Sequence, residues 1–327
     1  MEGLTLESIR AAAQALRGHV HRTPLLRSAA LSNLHGAEVF LKAEVLQKTG
    51  SFKPRGALHR ILSAEPAARA RGVVAASAGN HAQGVAWAAA TVGVPAIVVM
   101  PETAPRAKLD AVRGYGASVE LTGTIYDDCV ERAAELASTR GMMDIHPCTD
   151  VDVVSGAGTI GLEIIEDLPE VDVIVVPIGG GGLMSGIAVA TRALRPGVTL
   201  YGVQPEGSPP MERSFRARRL SSVREVATIA DGIAGREVYQ PTLDVVLRHC
   251  ADVVLIREED MLDAILFILT RCKLLTEPSG AASVAALSKL DLPRGARVVC
   301  VLSGGNQDLG LLAQWIEHGV PATTVAH

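Results

Sequence analysis

Short apolar runs rich in β-branched residues alternate along the chain with longer, alanine-rich stretches. Most of the short runs are continuously apolar, which is typical of parallel strands covered on both faces. We predict strands at 39–46, 72–77, 96–101, 118–122, 171–178, 200–204, 252–256 and 297–303. Helices are predicted at 127–138, 183–194, 258–273 and 279–290. The alternation predicts an α/β fold in which right-handed crossovers join parallel strands.

The length of the chain points to two lobes. Its 327 residues exceed what one hydrophobic core usually holds. We predict that 1–70 and 149–327 form a large α/β lobe and that 71–148 form a smaller α/β lobe inserted into it. The polar, arginine-rich segment 212–224 is expected to be a surface excursion and not a lobe boundary.

Composition excludes several classes of protein. No apolar run reaches about 18 residues, so no membrane span is expected, and the acidic N-terminus lacks the features of a secretory signal. The net charge of −4 and the 3% aromatic content argue against a nucleic-acid partner. The five cysteines have no C-x-x-C spacing, which argues against a disulfide framework or zinc cluster and favours the cytoplasm. Each is expected to be a small buried hydrophobe.

Four consecutive glycines, Gly179, Gly180, Gly181 and Gly182, follow a predicted buried strand and open a helix. Each glycine costs roughly 0.5–1 kcal/mol relative to alanine in regular structure, so a plain turn does not need four of them. They leave backbone N–H groups open to a phosphate at the positive end of the helix dipole. A tight strand-to-helix turn is the structural alternative.

Three other loops are predicted at the same edge of the sheets as the glycine run. They are 77–81, 204–206 and 303–306, each of which follows a predicted strand. Ligands of open parallel sheets bind beyond the carboxyl ends of the strands, so the four loops could line one crevice. A dinucleotide fingerprint fits the glycine run poorly because Ser185 occupies the third glycine position, and no Walker motif follows. The nearest nucleophile elbow, 75–79, has no partner acid and histidine that we can place.

Lys53 lies in an unusual segment, Thr49-Gly50-Ser51-Phe52-Lys53-Pro54-Arg55-Gly56-Ala57. A lysine amine becomes a nucleophile when burial lowers its pKa or when it forms an imine, and both require a shaped pocket. A salt-bridged lysine near a helix start explains the segment equally well. A phosphate-bearing cofactor that forms an imine would decide for the catalytic interpretation.

Six segments of the chain resemble the fold type II pyridoxal-phosphate enzymes, in particular the family of serine/threonine dehydratases and serine racemases. They occur in the family's order, cover nearly the whole chain, and are 51–57, 77–84, 179–182, 231–234, 277–280 and 303–306. The resemblance implies two parallel-sheet α/β lobes of the tryptophan synthase β type, with pyridoxal 5′-phosphate in the crevice between them. It also implies a small amino-acid substrate and a homodimer or higher homo-oligomer.

The resemblance implies roles for the residues around the cofactor. Lys53 would hold the cofactor as an imine and act as the base at Cα, and Phe52 would pack against the ring. Asn80 would hydrogen-bond the ring's 3′ oxygen. Ser303 would face the pyridine nitrogen, which its hydroxyl does not force to stay protonated. The other cofactor contacts are expected from Gly179, Gly180, Gly181, Gly182, Leu183, Gly232 and Glu277.

The loop from Ser77 to His81 would bind the substrate carboxylate. Its members are Ser77, Ala78, Gly79, Asn80 and His81. Ser77 is counted with Lys53 among the catalytic residues, whereas His81 alone is more typical of a structural histidine. Glu277 resembles the family's acid near the cofactor, although a glutamate at a helix N-terminus also suits the helix dipole.

Two departures from the family pattern affect the predicted activity. Serine racemases carry a serine at the position of Ala78, and alanine cannot reprotonate the opposite face of Cα. Metal-dependent relatives place carboxylates at the positions of Gln204 and close to Pro210, so a divalent or monovalent cation stays undecided. The chain ends soon after Ser303, so we expect no regulatory domain and no feedback inhibition by isoleucine.

Three functions are compatible with the sequence. The first is a dehydratase that converts L-threonine or L-serine to a 2-oxo acid and ammonia, or a relative specific for 3-hydroxyaspartate or phenylserine. The second is an amino-acid racemase. The third is a catalytically idle binding protein, against which the retained Lys53 argues. The sequence does not identify the preferred β-hydroxy amino acid.

Overall fold

Two sheets organise the chain in the computed structural model, which describes residues 1–321. The strands are β1 Leu25–Arg27, β2 Glu38–Ala43, β3 Val73–Ala76, β4 Ala96–Met100, β5 Ser118–Leu121, β6 Met143–Asp144, β7 Val173–Pro177, β8 Thr199–Pro205, β9 Asp252–Ile256 and β10 Arg297–Leu302. A six-stranded sheet has the order β1-β2-β10-β7-β8-β9, and a four-stranded sheet has the order β5-β4-β3-β6. All neighbouring strands are parallel except β1 and β2.

Helices connect these strands and cover both sheets. They are α1 Leu6–Leu16, α2 Ala29–His35, α3 Lys53–Ser63, α4 Pro66–Ala70, α5 Asn80–Val92, α6 Arg106–Gly114, α7 Tyr126–Arg140, α8 Val151–Asp167, α9 Gly182–Leu194, α10 Pro210–Ala217, α11 Gln240–His249, α12 Glu258–Phe267, α13 Pro278–Ala285 and α14 Leu309–His318. Within 1–321, no helix is both long and apolar enough to span a bilayer.

Burial on both faces explains why the strands are continuously apolar. In β10, Val298, Cys300 and Leu302 pack into the core on one side of the large sheet. Val299 and Val301 pack into the core on the other side. Successive side chains of a strand point to opposite faces, so a strand between two helical layers needs apolar residues at every position.

The strands of the four-stranded sheet all lie between residues 73 and 144, inside the segment predicted as the small lobe. Helix α3 belongs to the predicted large lobe, but it packs against both α5 and α8. Its residues Ala57, Leu58 and Ile61 share a core with strands of the small sheet. The boundaries at 70 and 149 therefore remain a prediction.

Several predicted elements differ from the observed ones. The strand predicted at 39–46 ends at Ala43, because Glu44 turns into a 3₁₀ segment and pairs with the buried Arg55. The helix predicted at 258–273 leaves α-helical geometry after Phe267 and ends in a π turn. Segment 212–224 is only partly a surface excursion, because α10 buries Met211 and Ser214.

Two strands lack the sequence signal that predicts the others. The prediction missed β1, an exposed antiparallel edge strand of three residues, and β6, which has two residues. Such short strands do not form a run long enough to show a pattern.

Candidate active site

A cavity of about 830 Å³ opens at the carboxyl ends of both sheets. Three of the four predicted loops line it: 77–81, 179–182 and the loop that begins at Ser303. Segment 204–206 does not line this cavity, because Gln204 is buried beneath α10. The shared edge of the strands therefore brings three of the four loops together, as the sheet topology predicts.

Lys53 is the first residue of α3 and lies on the floor of this cavity. The segment before it is held by the loop after β10: Phe52 N–H donates to Ser303 O (3.1 Å), and Gly305 N–H donates to Gly50 O (2.8 Å). Burial lowers the pKa of the Lys53 amine, which favours the neutral form that acts as a base. Its Nζ lies 4.9 Å from the centroid of the Phe52 ring.

The structural interpretation of Lys53 finds no support in residues 1–321. Lys53 forms no salt bridge there, although a salt-bridged lysine was the alternative explanation of its segment. Helix α5 passes so close that a Cβ on Gly84 would lie 2.9 Å from Lys53 Cβ. A glycine at 84 therefore allows α5 to pack against the start of α3.

The glycine loop between β7 and α9 is closely packed. Gly181 has φ +95°, and a Cβ there would lie 2.7 Å from Thr242 Cβ. A Cβ on Gly180 would lie 2.6 Å from Cys148 Sγ. Thr242 also fixes the loop, because its hydroxyl donates to Gly180 O at 2.7 Å. Packing rules out side chains, so the loop presents backbone at a helix N-terminus, as an anion site requires.

The loop from Ser77 to His81 follows β3 and includes the first two residues of α5. Its first residue continues the sheet, since Ser77 N–H donates to Val99 O at 3.1 Å. Ser77 Oγ accepts a hydrogen bond from Gly79 N–H at 3.2 Å. A Cβ on Gly79 would meet no atom within 4 Å. Unlike the glycine run, this loop borders open space.

His81 is a buried structural residue. Its side chain is 4% exposed, and Nε2 lies 2.6 Å from Ile145 O, an acceptor that fixes the proton on Nε2. Burial, and then the nearby Lys53, lower the pKa of His81 to about 3. The imidazole is therefore neutral near pH 7, in agreement with the structural interpretation of this histidine.

Asn80 links the two lobes across the cavity. Its Nδ2 donates to Glu277 Oε1 at 2.6 Å, and its Oδ1 accepts from Asn306 Nδ2 at 2.7 Å. Nδ2 carries two hydrogens, so one remains for a ligand in the cavity. Glu277 is 5% exposed, and burial, followed by the charge of Asp231, raises its pKa to about 7. Glu277 is the N-cap residue of α13, although its side chain makes no capping hydrogen bond, so both interpretations of this glutamate stay open.

Ser303 follows the last residue of β10 and lines the cavity together with Gly232 and Ser279. Its hydroxyl makes a long hydrogen bond of 3.4 Å to Ser279 O. Gly232 belongs to a 3₁₀ turn, Asp231–Ile233. Asp231 pairs at 2.6 Å with Lys108 of the small lobe, beside the opening of the cavity.

Sequence reasoning missed several residues that line the cavity. They are Lys108, Ile125, Tyr126, Cys148, Tyr239 and Ser279. Burial raises the pKa of the Cys148 thiol. Cys148, Cys250 and Cys272 are only partly buried, however, so the prediction of buried cysteines is confirmed for Cys129 and Cys300 alone. Tyr126 begins α7 beyond the end of β5, a position that the strand-end rule could have singled out.

Gln204 has a structural role at the position where metal-dependent relatives carry a carboxylate. Its Oε1 accepts hydrogen bonds from the N–H groups of Met211 (2.9 Å) and Glu212 (3.0 Å) at the start of α10. No group of three or more His, Cys, Asp or Glu side chains within residues 1–321 is arranged to hold a metal ion. The predicted cation remains undecided.

Comparison with known proteins agrees with this site. A family model described as "Pyridoxal-phosphate dependent enzyme" matches residues 16–304. An L-threonine ammonia-lyase of Thermotoga maritima is 47% identical over 318 residues, which cover 97% of this chain and 79% of that protein.

Two solved structures have the same fold. Maize serine racemase has a TM-score of 0.91 at 34% identity and covers 96% of this chain and 97% of its own. A threonine deaminase of T.th. has a TM-score of 0.88 at 39% identity and covers 93% of this chain and 99% of its own. These findings confirm the predicted α/β fold and the predicted resemblance. The chain belongs to the family of pyridoxal-phosphate-dependent enzymes.

Proposed function

We propose that this protein is a pyridoxal-phosphate-dependent ammonia-lyase that converts L-threonine to 2-oxobutyrate and ammonia and L-serine to pyruvate and ammonia. The observation that carries the proposal is the meeting of three features in one cavity. These are a buried lysine of lowered pKa, the glycine loop 179–182 at a helix N-terminus, and the loop 77–81, which borders open space at Gly79. The 47% identity to an L-threonine ammonia-lyase supports the same substrate class.

The residues present fit pyridoxal phosphate. The glycine loop would hold the phosphate through the backbone N–H groups of 179–183, and the packing of the loop against Thr242 and Cys148 keeps it free of side chains. Asn80 has one amide hydrogen left for the ring's 3′ oxygen. When bound, the cofactor supplies an electron-withdrawing ring that lowers the free energy of a carbanion at Cα.

Lys53 is the proposed general base. Its amine removes the Cα proton of the substrate, and its lowered pKa leaves a larger neutral fraction for this step than an exposed lysine has. The close packing of α3 against α5 at Gly84 fixes where the amine can reach. Positioning of this kind contributes to the rate because the amine needs no reorientation during the reaction.

The loop from Ser77 to His81 is the proposed site for the substrate carboxylate. Backbone N–H groups at the start of α5 and the Ser77 hydroxyl would donate to it, assisted by the helix dipole. The empty space beside Gly79 gives the carboxylate room to approach the backbone. His81 shapes this loop through its bond to Ile145 O and does not carry protons.

Loss of the β-hydroxyl completes the elimination. The Cα proton and the hydroxyl leave as water, and hydrolysis of the remaining enamine yields one 2-oxo acid and one ammonia. Ala78 has no proton to donate to the opposite face of Cα, so Lys53 acts on one face alone. A carbanion that cannot be reprotonated from the other side favours elimination over racemisation.

Racemisation is the second candidate function. Maize serine racemase superposes with a TM-score of 0.91, so the fold alone does not separate the two activities. Ala78 favours the dehydratase, and the same residue predicts that any racemase activity is weak. Specificity for another β-hydroxy amino acid, such as 3-hydroxyaspartate, is a variant of the first proposal.

A substrate panel tests the proposed function. The cofactor-loaded protein should release 2-oxo acid fastest from L-threonine or L-serine, and more slowly from 3-hydroxyaspartate and phenylserine. Chiral chromatography of the remaining amino acid measures racemisation in the same samples. Absence of 2-oxo acid from every member of the panel would refute the proposal.

We further propose a cytoplasmic homodimer. All five cysteines have free thiols, which suits a reducing compartment. Twofold dimers are the commonest homo-oligomers of soluble proteins. Light scattering of the purified protein should give a mass about twice that of one chain, which is 34.2 kDa.

A further inference from the structure

Four charged side chains form a buried cluster against the first turn of helix α3. They are Lys42, Glu44, Arg55 and Glu163, which are joined by three ion pairs of 2.5–2.8 Å. The first three side chains are at most 1% exposed, and Glu163 is 13% exposed. Two positive and two negative charges leave the cluster neutral. All four residues lie in the described part of the chain, and none of them lines the active-site cavity, so the proposed reaction gives the cluster no role.

Arg55 uses all of its side-chain donors inside this cluster. A guanidinium has five N–H donors in a fixed plane. Nε and Nη2 donate to the two oxygens of Glu44, both at 2.8 Å. Nη1 and Nη2 donate to the two oxygens of Glu163, at 2.6 and 3.0 Å. The fifth donor, on Nη1, reaches Thr159 Oγ1 at 3.1 Å. Two bidentate contacts of this kind fix the orientation of the guanidinium as well as its position.

The cluster ties the start of α3 to two other elements. Arg55 is the third residue of α3, two positions after Lys53. Glu44 directly follows β2, whereas Glu163 belongs to α8. The segment before Lys53 is held separately by the loop after β10. Lys53 is therefore anchored on both sides along the chain, and the first turn of α3 cannot rotate without breaking these ion pairs.

Stability alone is a weak reason for such a cluster. Desolvation of buried charges offsets much of their mutual attraction, and apolar residues of similar volume often give equal or greater stability. A guanidinium bound by two carboxylates does, however, allow only one arrangement of the groups around it. Because α3 carries the proposed base on its first residue, a fixed first turn bears directly on the reaction.

We propose that Arg55 is a positioning residue that sets the direction from which the Lys53 amine approaches the cofactor and the Cα proton. This inference rests on the role of Lys53 in the proposed function. Arg55 does not line the cavity and acts through the backbone of α3. Burial lowers the pKa of Lys53, and the nearby groups that act on it are Cys148 and Glu277. The neutral cluster is not among these causes, so we expect Arg55 to affect the geometry of the amine and not its protonation.

Arg55→Lys tests this geometry, because an ammonium keeps the charge but cannot make two bidentate contacts. After apoprotein is mixed with saturating pyridoxal phosphate, the visible absorbance of the lysine-linked cofactor should appear about ten- to a hundredfold more slowly than in wild type. The kcat for L-threonine should fall by a similar factor, with KM within twofold and the pH midpoint of kcat unchanged. The affinity for pyridoxine phosphate, which lacks the aldehyde that Lys53 attacks, should stay within twofold.

Thr159→Val is a milder test that serves if Arg55→Lys does not fold. It removes one acceptor of the guanidinium, keeps all four charges, and should slow the appearance of the absorbance two- to fivefold. Thr191→Val is the matched control. Both threonines are buried in helices, and both hydroxyls donate to a carbonyl of their own helix, Gly156 O at 2.7 Å and Ile187 O at 2.8 Å. Of the two, Thr159 contacts Arg55, so Thr191→Val should match wild type.

Three results would overturn the proposal. The first is an Arg55→Lys variant whose absorbance appears within twofold of the wild-type rate, and the second is an equal rate for Thr159→Val and Thr191→Val. The third is a loss of pyridoxine phosphate affinity as large as the loss of rate, because the cluster would then shape the cofactor site and not position the amine. Failure of the proposed function is separate from these. A protein whose absorbance depends on Arg55 and which releases no 2-oxo acid would refute the ammonia-lyase activity alone.

Discussion

Two glycine-bearing loops line the cleft, and each leads from a buried parallel strand into a helix. Between β7 and α9, a Cβ on Gly180 or Gly181 would lie less than 3 Å from a neighbouring side chain. Between β3 and α5, a Cβ on Gly79 would meet no atom within 4 Å. The first loop has no room for side chains because the protein fills the space around it. The second borders a space that the protein leaves open.

This difference separates two reasons for using glycine. In the cofactor loop, packing against Thr242 and Cys148 imposes it, so the loop is formed before any ligand binds. In the substrate loop, only a ligand would compete for the space beside Gly79. We therefore expect a side chain at Gly180 or Gly181 to reduce stability, and a side chain at Gly79 to reduce substrate binding.

Lys53→Ala has the largest expected effect, because Lys53 is the proposed base and the two loops are proposed to hold the cofactor and the substrate around it. Loss of the proposed base should reduce kcat for L-threonine by about 10²–10⁴-fold. The visible absorbance of the lysine-linked cofactor should disappear as well. Lys48→Ala removes an exposed lysine five residues away and should change neither quantity. Retention of more than a tenth of the activity by Lys53→Ala would exclude it as the base.

Gly181→Ala tests the packed loop. A residue with φ +95° costs about 1–2 kcal/mol when it is not glycine, and contact with Thr242 adds to this. The free energy of unfolding should fall by about 2–4 kcal/mol, and the cofactor affinity should fall at least tenfold. Gly197→Ala, at an exposed position with no atom within 4 Å, is the control. Equal stability of the two variants would contradict the steric argument.

Glu277→Gln tests the contact that joins the substrate loop to the large lobe. The native pKa of Glu277 is about 7 and its ordinary value is 4.5, so the native state binds more protons between these values. The contribution of Glu277 to stability is therefore complete below pH 4.5 and is lost as pH rises through 7. Glutamine does not titrate, so the variant should lack this loss, which is on the order of 1–3 kcal/mol.

The measurement for Glu277 is the unfolding free energy of the apoprotein from pH 5 to 8. The difference between Glu277→Gln and wild type should move in favour of the variant as pH rises. Glu65→Gln changes an exposed glutamate and should give a curve parallel to wild type. Parallel curves for Glu277→Gln would show that this carboxyl does not titrate in the range.

Gly79→Ala has the smallest expected effect on the fold. Its φ of −116° lies outside the left-handed region that favours glycine, and the added methyl meets no protein atom. Stability and cofactor affinity should change little, whereas KM for L-threonine should rise about three- to tenfold. Steady-state kinetics and a melting curve check this. A loss of stability equal to that of Gly181→Ala would remove the distinction between the two loops.

The sequence was most informative where short-range patterns control the structure. The parallel strands, the glycine run and the segment around Lys53 were predictable because burial on both faces and the requirement for small residues leave clear patterns. The partners of the site residues were not predictable. The bond from Asn80 to Glu277 joins residues 197 positions apart, so no local pattern indicates it.

The prediction that loop 204–206 lines the crevice was wrong, because a polar residue at a strand end can either face a cavity or cap a neighbouring helix. Loop 204–206 follows a parallel strand, as the site loops do, but Gln204 caps α10 instead of facing the cavity. A glutamine at a strand end is compatible with either role. The choice depends on the helix that packs over it, and α10 lies in a segment expected to be a surface excursion.

The central claim is that Lys53 and its two loops catalyse elimination on one face of Cα. The most direct test is to incubate the cofactor-loaded protein with L-threonine and to measure 2-oxobutyrate, ammonia and the Cα epimer of threonine in one sample. We predict equal amounts of 2-oxobutyrate and ammonia, with no measurable epimer. Accumulation of the epimer without 2-oxobutyrate would contradict the claim.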